Sequence, residues 1–494
     1  MRKNGFTLIE IIVILIIIGL LSIIAVPSVT KVIENTSKET FISSVKNIEK
    51  TTKKICNMEI IDNPEYTDTI IIQDGFSSIP LGLEGDLPDG TISIDKNCVI
   101  TYELTNNNYS AFKDNSKSAI TINKCKENCV RYKEENLNGS IPNIKEGMIP
   151  VTIENDGTVK KADIFNEWYN YEEKKWANAI LVSNESREKY LKANAKTVIA
   201  LDDIKAYFVW IPRYKYKIPT GGTSTPSSID IIFENKNIEK SFGNAKTEYL
   251  THPAFTFGED EVKGIWAGKF ETSGTDENPT IKPNATILRN QNLNNQFNTS
   301  KKFNDYVFYT DAHMIKNSEW GAISYLSHSK YGIDGKIRIN NNIYAFTGCG
   351  ANNDGAAQTT ECHNQYGKTT TYPQSTTGNI TGVFDMSGGG WERVMSFFGG
   401  NLSNSGFTEL PDYKYYDFYV NPNFSFACKG NPCNGHGLNE TKGWYNSTYK
   451  DLNGLNSVFD RGGHYNRNTT ASQFDYGTGS GGAGEFTSRT VISN

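Results

Sequence analysis

The chain has few of the residues from which catalytic and metal sites are usually built. Its 494 residues include six histidines, and these form no H-E-x-x-H motif. The cysteines show no paired C-x2-C spacing of the kind that holds structural zinc. Lysine and arginine number 50 against 55 acidic residues, without a basic stripe, which argues against nucleic acid as a partner. These absences favour assembly or binding over chemistry as the function.

Long hydrophobic runs are also scarce. The sequence contains a single apolar run that is long enough to cross a membrane. It covers Phe6–Val26, and at about 1.5 Å rise per residue a helix of this length spans the roughly 30 Å of a bilayer core. Arg2 and Lys3 before it predict a cytoplasmic N-terminus, with the bulk of the chain outside. A plain anchor and a cleaved secretory signal are the alternatives, but neither explains Glu10, a carboxylate inside the apolar run.

The junction between the basic leader and the apolar run reads Gly5-Phe6-Thr7-Leu8-Ile9-Glu10. It resembles the class III signal of type IV pilins and pseudopilins. The resemblance implies cleavage after Gly5 by a prepilin peptidase, N-methylation of Phe6, and pairing of Glu10 with the N-terminal amine of a neighbouring subunit. Such a pair agrees with physics, since opposite charges in a low dielectric cost much less together than alone. Pro27 matches the family position that kinks the long helix.

The first third of the chain is predicted to be a leader (1–5), a pilin helix (6–56, with the membrane span at 6–26) and a small antiparallel β head (57–145). Beyond the membrane the helix carries a largely apolar stripe opposite a mixed-charge face, which predicts that it packs on the head. The stripe consists of Phe41, Val45, Ile48, Thr52 and Ile55. The strand-like runs of the head are 67–72, 91–94, 98–104 and 119–122.

Eight cysteines in an exported chain favour disulfides. The short spacings favour two local pairs, Cys349 with Cys362 and Cys428 with Cys433, and the first four cysteines are expected to serve the head. Free thiols are one alternative. A zinc site built from Cys428, Cys433 and His436, with Cys362 and His363 from elsewhere in the chain, is the other.

The C-terminal part contains five sequence blocks in order. Together they resemble the formylglycine-generating-enzyme, or sulfatase-modifying-factor, family, whose fold is C-type-lectin-like. The resemblance spans about residues 200–494 and implies a C-type-lectin-like α+β domain, which we place at 146–494. The blocks are Gly264–Thr272, Asn317–Leu326 (within a predicted helix from Lys316 to His328), Gly382–Glu392, Arg461–Tyr465 and Phe486–Val491.

Enzymes of that family oxidise a substrate cysteine with two copper-binding cysteines that follow the Arg-Gly-Gly block. Here residues 466–484 contain no cysteine, and copper(I) requires soft thiolate ligands. We therefore expect a non-catalytic domain without a cofactor, and a formylglycine-type oxygenase on the cell surface is the alternative. Asp385 and Glu392 are candidate ligands of a structural calcium ion, although hydrogen bonding of Glu392 to loop backbone is the stronger expectation.

A binding surface is the remaining hypothesis for the C-terminal domain. Tyr445, Tyr465, Phe474 and Tyr476 lie among asparagine, serine and glycine, a composition that is typical of binding loops. The alternative is that half or more of these rings belong to the core.

The sequence thus predicts an α+β protein with a long N-terminal helix, a small β head and a large C-type-lectin-like domain. Its predicted function is that of a minor, tip-located type IV pilin that presents the domain for adhesion. The expected partners are other pilin subunits, the prepilin peptidase, the assembly platform in the cytoplasmic membrane and a surface glycan or protein. It is expected in the cytoplasmic membrane first and then on the extracellular pilus. A pseudopilin of a type II secretion or DNA-uptake system is the alternative.

Overall fold

The structure is a computed structural model, and it describes residues 35–493 with internal gaps. The leader and the predicted membrane span, with Gly5, Phe6, Glu10 and Pro27, therefore lie outside the described residues. In the part that is described, no helix has the length and apolar character needed to cross a membrane. The gaps are residues 62, 74–75, 78–80, 84–86, 107, 114–119, 125–137, 141, 165–167, 221–224, 235–243, 309, 421–426, 429–432, 448–457 and 480–483.

The chain divides into two compact units, Met1–Lys133 and Glu134–Asn494. The N-terminal unit consists of helix α1, described over residues 35–61, and one six-stranded antiparallel sheet in the order β2-β1-β3-β4-β5-β6. The helix thus continues past the predicted end at residue 56. The strands are β1 (Asp68–Gln73), β2 (Phe76–Ser77), β3 (Asp89–Ile94), β4 (Ile100–Thr105), β5 (Tyr109–Lys113) and β6 (Thr121–Lys124).

The predicted stripe on α1 is confirmed as the face that packs on this sheet. Phe41, Val45, Ile48 and Thr52 are buried, and alternate residues of β3 and β4 complete the same core. The Cys56–Cys98 disulfide joins α1 to the turn before β4. Full burial of an aliphatic side chain is worth about 1.5–3 kcal/mol, so these contacts stabilise a helix that is otherwise polar on its remaining faces.

The boundary between the units falls earlier than the predicted 145/146. The Trp210 indole N–H donates to the carbonyl oxygen of Ser140 (2.9 Å), and the Trp266 indole N–H donates to that of Asn143 (2.7 Å). The Ser140 hydroxyl donates to the Lys263 carbonyl oxygen. Buried indole donors need such acceptors, so the segment that supplies them belongs to the C-terminal unit and not to the head.

The C-terminal unit contains, among its described residues, three α-helices, several short 3-10 helices and strands β7 to β29. Its helices are α2 (Asn184–Leu191), α3 (Leu293–Lys301) and α4 (Asn317–Ser327), with 3-10 helices at Pro253–Phe255, Lys302–Asp305, Tyr413–Tyr415, Asn439–Thr441, Trp444–Asn446 and Asn468–Thr470. Its longer strands are β7 (Ile149–Ile153), β8 (Val159–Lys161), β9 (Asn178–Val182), β10 (Ile204–Pro212), β11 (Tyr214–Lys217), β12 (Asp230–Phe233), β16 (Gly264–Gly268), β19 (Asp311–Met314), β22 (Trp391–Val394), β23 (Ser396–Phe398), β24 (Asp417–Val420), β26 (Val458–Arg461), β27 (Tyr476–Gly479), β28 (Phe486–Ser488) and β29 (Thr490–Ser493). Two-residue strands are β13 (Leu250–Thr251), β14 (Thr256–Phe257), β15 (Asp260–Glu261), β17 (Ser273–Gly274), β18 (Pro279–Thr280), β20 (Cys349–Gly350), β21 (Asn364–Gln365) and β25 (Ala427–Cys428).

A seven-stranded antiparallel sheet forms the centre of this unit, in the order β19-β29-β16-β10-β9-β7-β8. Strand β29 lies between β16 and β19, so it is an interior strand of the sheet. Strand β10 is buried from Ala206 to Pro212, which explains why its sequence is a continuous apolar run and not an alternating one. The predicted helix from Lys316 to His328 is confirmed as α4, whose residues are all buried.

A four-stranded sheet in the order β27-β26-β22-β28 holds the last three sequence blocks. Strand β22 pairs antiparallel with β26 and parallel with β28. The Trp391-Glu392 block therefore lies between the Arg461 block and the C-terminal block, although the three are far apart in the sequence.

Candidate functional site

The buried side of this sheet is a charged network around Arg489. The Arg489 guanidinium donates from Nε to Glu392 Oε2 (2.9 Å) and from Nη2 to Glu392 Oε1, and it also donates to the carbonyl oxygens of Gly268 and Phe384. Both side chains of the ion pair are buried. Glu392 thus pairs with a guanidinium rather than with loop backbone, which corrects the sequence-based expectation for this residue.

Asp385 lies in the same network, with φ at +62°. It accepts hydrogen bonds from Asn340 Nδ2 (2.9 Å) and from the Gly348 backbone N–H (2.8 Å). Burial raises the pKa of Asp385 to about 6 even though these donors and Arg489 oppose the rise. Its oxygens and those of Glu392 are used by protein donors, and no described set of three or more His, Cys, Asp or Glu side chains is arranged to hold a metal ion. The calcium role stays a prediction without support from this donor set.

Glu271 completes the network directly beneath the surface. Its Oε1 accepts from the Gly390 backbone N–H (2.8 Å), and its Oε2 has no hydrogen-bond partner among the described residues. Burial and the neighbouring carboxylates Glu392 and Asp385 raise the pKa of Glu271 well above its ordinary value. Arg489 is the cation that opposes this rise, and it already pairs with Glu392.

Above this network, backbone hydrogen bonds bring three loop segments together. The Trp391 backbone N–H donates to the Glu485 carbonyl oxygen (2.9 Å), and the Tyr465 N–H donates to that of Gly389 (3.1 Å). Gly389 has φ at +72°, and a Cβ atom there would lie 2.6 Å from Glu271 Oε2. A glycine is therefore required where the surface loop crosses the buried acid.

Charged side chains lie on this face near Trp391 and the buried His464. The Arg467 guanidinium carbon lies 5.0 Å from the centroid of the Trp391 ring, within the range of a cation–π contact. Arg289 donates from Nη2 to the Tyr344 carbonyl oxygen (2.8 Å). Glu485 is the acidic residue among these charged side chains, and its carboxylate oxygen lies 3.6 Å from Nε2 of the buried His464.

His464 is held beneath the surface by a second contact, because its Nδ1 lies 3.0 Å from Asn466 Oδ1. Burial lowers the pKa of His464, and the nearby guanidinium groups of Arg289 and Arg467 lower it further, while Asn466 and Glu485 oppose the change.

We use the term Trp391 surface for six partly or fully exposed residues, namely Arg289, Tyr344, Trp391, Tyr465, Arg467 and Glu485. Their polar tips are largely unused by the protein. In the described part of the chain, the Trp391 indole N–H, the hydroxyls of Tyr344 and Tyr465 and the Arg467 guanidinium have no hydrogen-bond acceptor. Rings with a partly buried body and an unused polar tip are suited to contact a ligand.

The four aromatic residues predicted to bind a ligand are divided by the structure. Tyr465 is half-buried and lies in the Trp391 surface. Phe474 and Tyr476 are fully buried, so their prediction as ligand-binding residues is wrong. The Phe474 ring packs near Tyr325 of α4, and the Arg461 guanidinium lies over the Tyr476 ring. Tyr445 is half-buried at φ +60°, and its hydroxyl lies 3.2 Å from His328 Nδ1. Its ring packs against His328 and Phe474, and Trp444 packs against both of these, so it is part of a second, separate cluster.

The disulfide predictions are supported where the chain is described. Cys349 and Cys362 form the predicted bond, which closes the short β20-β21 hairpin. Cys433 is also disulfide-bonded, and the side chain of Cys428, its predicted partner, lies outside the described residues. The bond leaves Cys433 unavailable for the alternative zinc site with His436.

Sequence reasoning did not identify Arg289, Tyr344 and Arg467 as site residues. Arg467 was within reach, since it follows Tyr465 by two residues in a loop that was already a candidate. Arg289 and Tyr344 come from loops with no distinguishing pattern, and only the fold brings Arg289 to the Tyr344 backbone and near His464.

Comparison with known proteins assigns the N-terminus. Residues 1–26 match the family model described as the prokaryotic N-terminal methylation motif, which confirms the pilin-type signal. The match implies that the chain is processed by a prepilin peptidase, is anchored in the membrane and then joins other pilin subunits on a pilus or at the surface. No curated protein sequence matches the chain.

Solved structures give a fainter likeness. The chain is 13% identical to the Major Tropism Determinant I1 variant with a TM-score of 0.27, covering 79% of this chain and 80% of that one. It is 11% identical to the P3c variant of the same protein with a TM-score of 0.26, at the same coverage. At TM-scores this low the likeness carries no conclusion about the fold.

Proposed function

We propose that this protein is a minor, tip-located type IV pilin that presents a non-catalytic, C-type-lectin-like domain for adhesion. The observation that carries the proposal is the methylation motif at residues 1–26 joined to a C-terminal unit, Glu134–Asn494, with a core of its own. The first part supplies assembly. The second has no place in a minimal filament subunit and is therefore available for a separate task.

Bulk supports the placement at the tip. In a helical shaft every subunit is surrounded laterally by copies of itself, and the C-terminal unit is much larger than the helix-and-sheet head. Lateral packing of many such units is hindered, whereas one subunit at the end of the filament meets no such constraint.

The meeting of the sequence blocks supports the lectin-like, formylglycine-generating-enzyme-like assignment. Glu271, Asp385, Glu392 and Arg489 come from three of the five blocks, yet they form one buried network. Contact between blocks that lie apart in the sequence is what a shared fold would require.

The absence of cysteine from residues 466–484 supports a binding role over oxidation. A surface oxygenase is the rival, and it predicts copper binding and oxidation of a cysteine-containing peptide by the purified protein. A pseudopilin is the second rival, because pilins and pseudopilins share the N-terminal motif. It predicts that loss of the protein impairs secretion or DNA uptake while adhesion is unchanged.

The assembly part is tested by replacing Glu10 with alanine. We expect Glu10→Ala to be processed but to enter filaments poorly, because an unpaired N-terminal amine in the apolar filament core loses its counter-charge. Sheared filaments are probed by immunoblot, and mass spectrometry of the wild type is expected to show a methylated Phe6 as the first residue. Glu39→Ala, at an exposed position of α1, is the matched control.

Normal incorporation of Glu10→Ala, or a mature chain that retains Met1, contradicts the assembly proposal. Immunogold labelling decides the placement. We expect gold particles at filament ends, and label distributed along the shaft excludes the tip role without excluding a pilin.

A further inference from the structure

The Trp391 surface has a chemical character that narrows its ligand. It offers the aromatic side chains of Trp391 and Tyr465, whose loops are joined by backbone hydrogen bonds, and that of Tyr344 (49% exposed), whose carbonyl oxygen accepts from Arg289. Each has a donor tip with no acceptor in the described structure. Flat apolar faces that border free hydrogen-bond donors suit a ligand that also combines apolar faces with hydrogen-bonding edges. A sugar ring, with its C–H faces and hydroxyl edges, is such a ligand.

The charge of the surface is positive, in contrast to the chain as a whole. The surface contains two arginines, Arg289 and Arg467, and one acidic residue, Glu485, while the full sequence has a net charge of −5. Arg467 makes no ion pair with any described residue, and its guanidinium is held over the Trp391 ring at 5.0 Å. A guanidinium that is fixed in this way and still has its N–H groups free presents a planar fork for a carboxylate or sulfate group.

Glu485 argues against an extended polyanion as the ligand. Its side chain is 49% exposed, and it acts on the same buried His464 as Arg289 and Arg467 do, so a nucleic acid or a densely charged polymer would be repelled there. A carboxylate accepts hydrogen bonds from hydroxyl groups, as do the side-chain amides of the exposed Asn290 and Asn466 nearby. The surface therefore combines one anion position with several hydroxyl positions.

We propose that the Trp391 surface binds an acidic saccharide, that is, a glycan that carries an isolated carboxylate or sulfate group. The inference rests on the proposed binding function and names its ligand class. Arg467, stacked on Trp391, receives the acidic group, and Arg289 adds a second positive charge. Tyr465 and Tyr344 pack against the sugar ring, and Glu485 accepts from its hydroxyls.

The test uses the full chain, purified in detergent, on an array of neutral, sialylated, uronate-containing and sulfated glycans. We expect retention of acidic glycans over their neutral counterparts, with weaker retention as the salt concentration rises. The strongest acidic probe is then titrated against variants. Arg467→Gln is expected to weaken binding of this probe about tenfold or more, which corresponds to the loss of a charge-assisted hydrogen-bond pair.

Arg187→Gln is the matched control, because the Arg187 guanidinium stacks over Phe308 at 4.9 Å, in an arrangement like that of Arg467 over Trp391, but elsewhere on the unit. It is expected to bind like the wild type. Arg467→Lys keeps the charge and loses the planar fork, so intermediate binding is expected. Arg467 makes no side-chain hydrogen bond to described residues, and an unchanged unfolding temperature confirms that its variants are folded.

The outcomes separate this inference from the proposed function. Preference for sialylated and uronate glycans identifies a carboxylate site, and preference for sulfated glycans identifies a sulfate site. Equal retention of neutral and acidic glycans, unchanged binding by Arg467→Gln, or no retention of acidic glycans overturns the inference. Adhesion of piliated cells to host or bacterial surfaces is measured in parallel, and its loss on deletion of the gene upholds the proposed function even when the glycan inference fails.

Discussion

Individual residues in the C-terminal unit show that a large interior can hold many ionisable groups. Arg489 stabilises Glu392 through two hydrogen bonds, and the backbone N–H groups of Gly348 and Gly390 serve Asp385 and Glu271. Truncating one partner of such a buried pair typically costs about 3–5 kcal/mol, because the other charge is left uncompensated. These groups fix the position of the loops that carry the Trp391 surface.

Asp475 is a residue where this compensation is incomplete. It is fully buried, neither carboxylate oxygen has a hydrogen-bond partner in the described structure, and burial raises its pKa to about 8. The native state therefore holds a proton that the unfolded chain releases above its ordinary pKa of 3.8. Stability from this group is complete below that ordinary value and is lost as the pH rises through the native pKa.

We predict that Asp475→Asn stabilises the protein at pH 9, on the order of a few kcal/mol, and has little effect near pH 4. Thermal unfolding of both proteins is measured across this pH range. The unfolding temperature of the variant should fall less toward pH 9 than that of the wild type. Asp305→Asn, at an exposed position, is the control and should follow the wild type. If the unfolding temperatures of the wild type and Asp475→Asn fall in parallel, Asp475 is not the source of the pH dependence.

Among the elements, helix α1 has two faces with clearly different contacts. Its buried stripe faces the sheet, and its charged face contributes Glu49, which accepts from the Tyr102 hydroxyl (3.0 Å) and pairs with Lys113. The helix is thus attached to β4 and β5 by apolar packing, by polar contacts and, through Cys56, by a disulfide to Cys98. Packing is the largest of these contributions.

Ile48→Ala is predicted to destabilise the N-terminal unit by about 2–5 kcal/mol, because it leaves a cavity under a fully buried side chain. Ile61→Ala removes the same atoms from a side chain that is 76% exposed and should cost little. Chemical denaturation followed by circular dichroism compares the two. Similar losses for both variants would mean that the stripe is not the stabilising face.

At the scale of the whole molecule, the chain has a separate large hydrophobic core in each compact unit. Each unit closes its own sheets, and each has a disulfide within it. The division suits a protein in which one part assembles with other subunits and the other part binds.

Two unfolding transitions are therefore predicted in calorimetry of the full chain, since separate cores unfold as separate cooperative units. Ile48→Ala should lower the temperature of one transition and leave the other in place. Asp475→Asn should affect only the other. A single transition that both substitutions move would show that the two units unfold together.

The sequence by itself determined the local features of this protein. The signal at Gly5, Phe6 and Glu10 is contiguous, the stripe on α1 has helical period, and Cys349 and Cys362 lie close in the chain, so neighbouring residues carry the whole pattern. The burial of Phe474 and Tyr476, the boundary before Asn138 and the pairing of Glu392 with Arg489 depend on contacts between distant segments. Arg467 reaches the Trp391 ring, and Arg289 reaches the Tyr344 backbone, for the same reason. Composition cannot distinguish a core ring from a surface ring, because only the packing of sheets around it decides which face meets water.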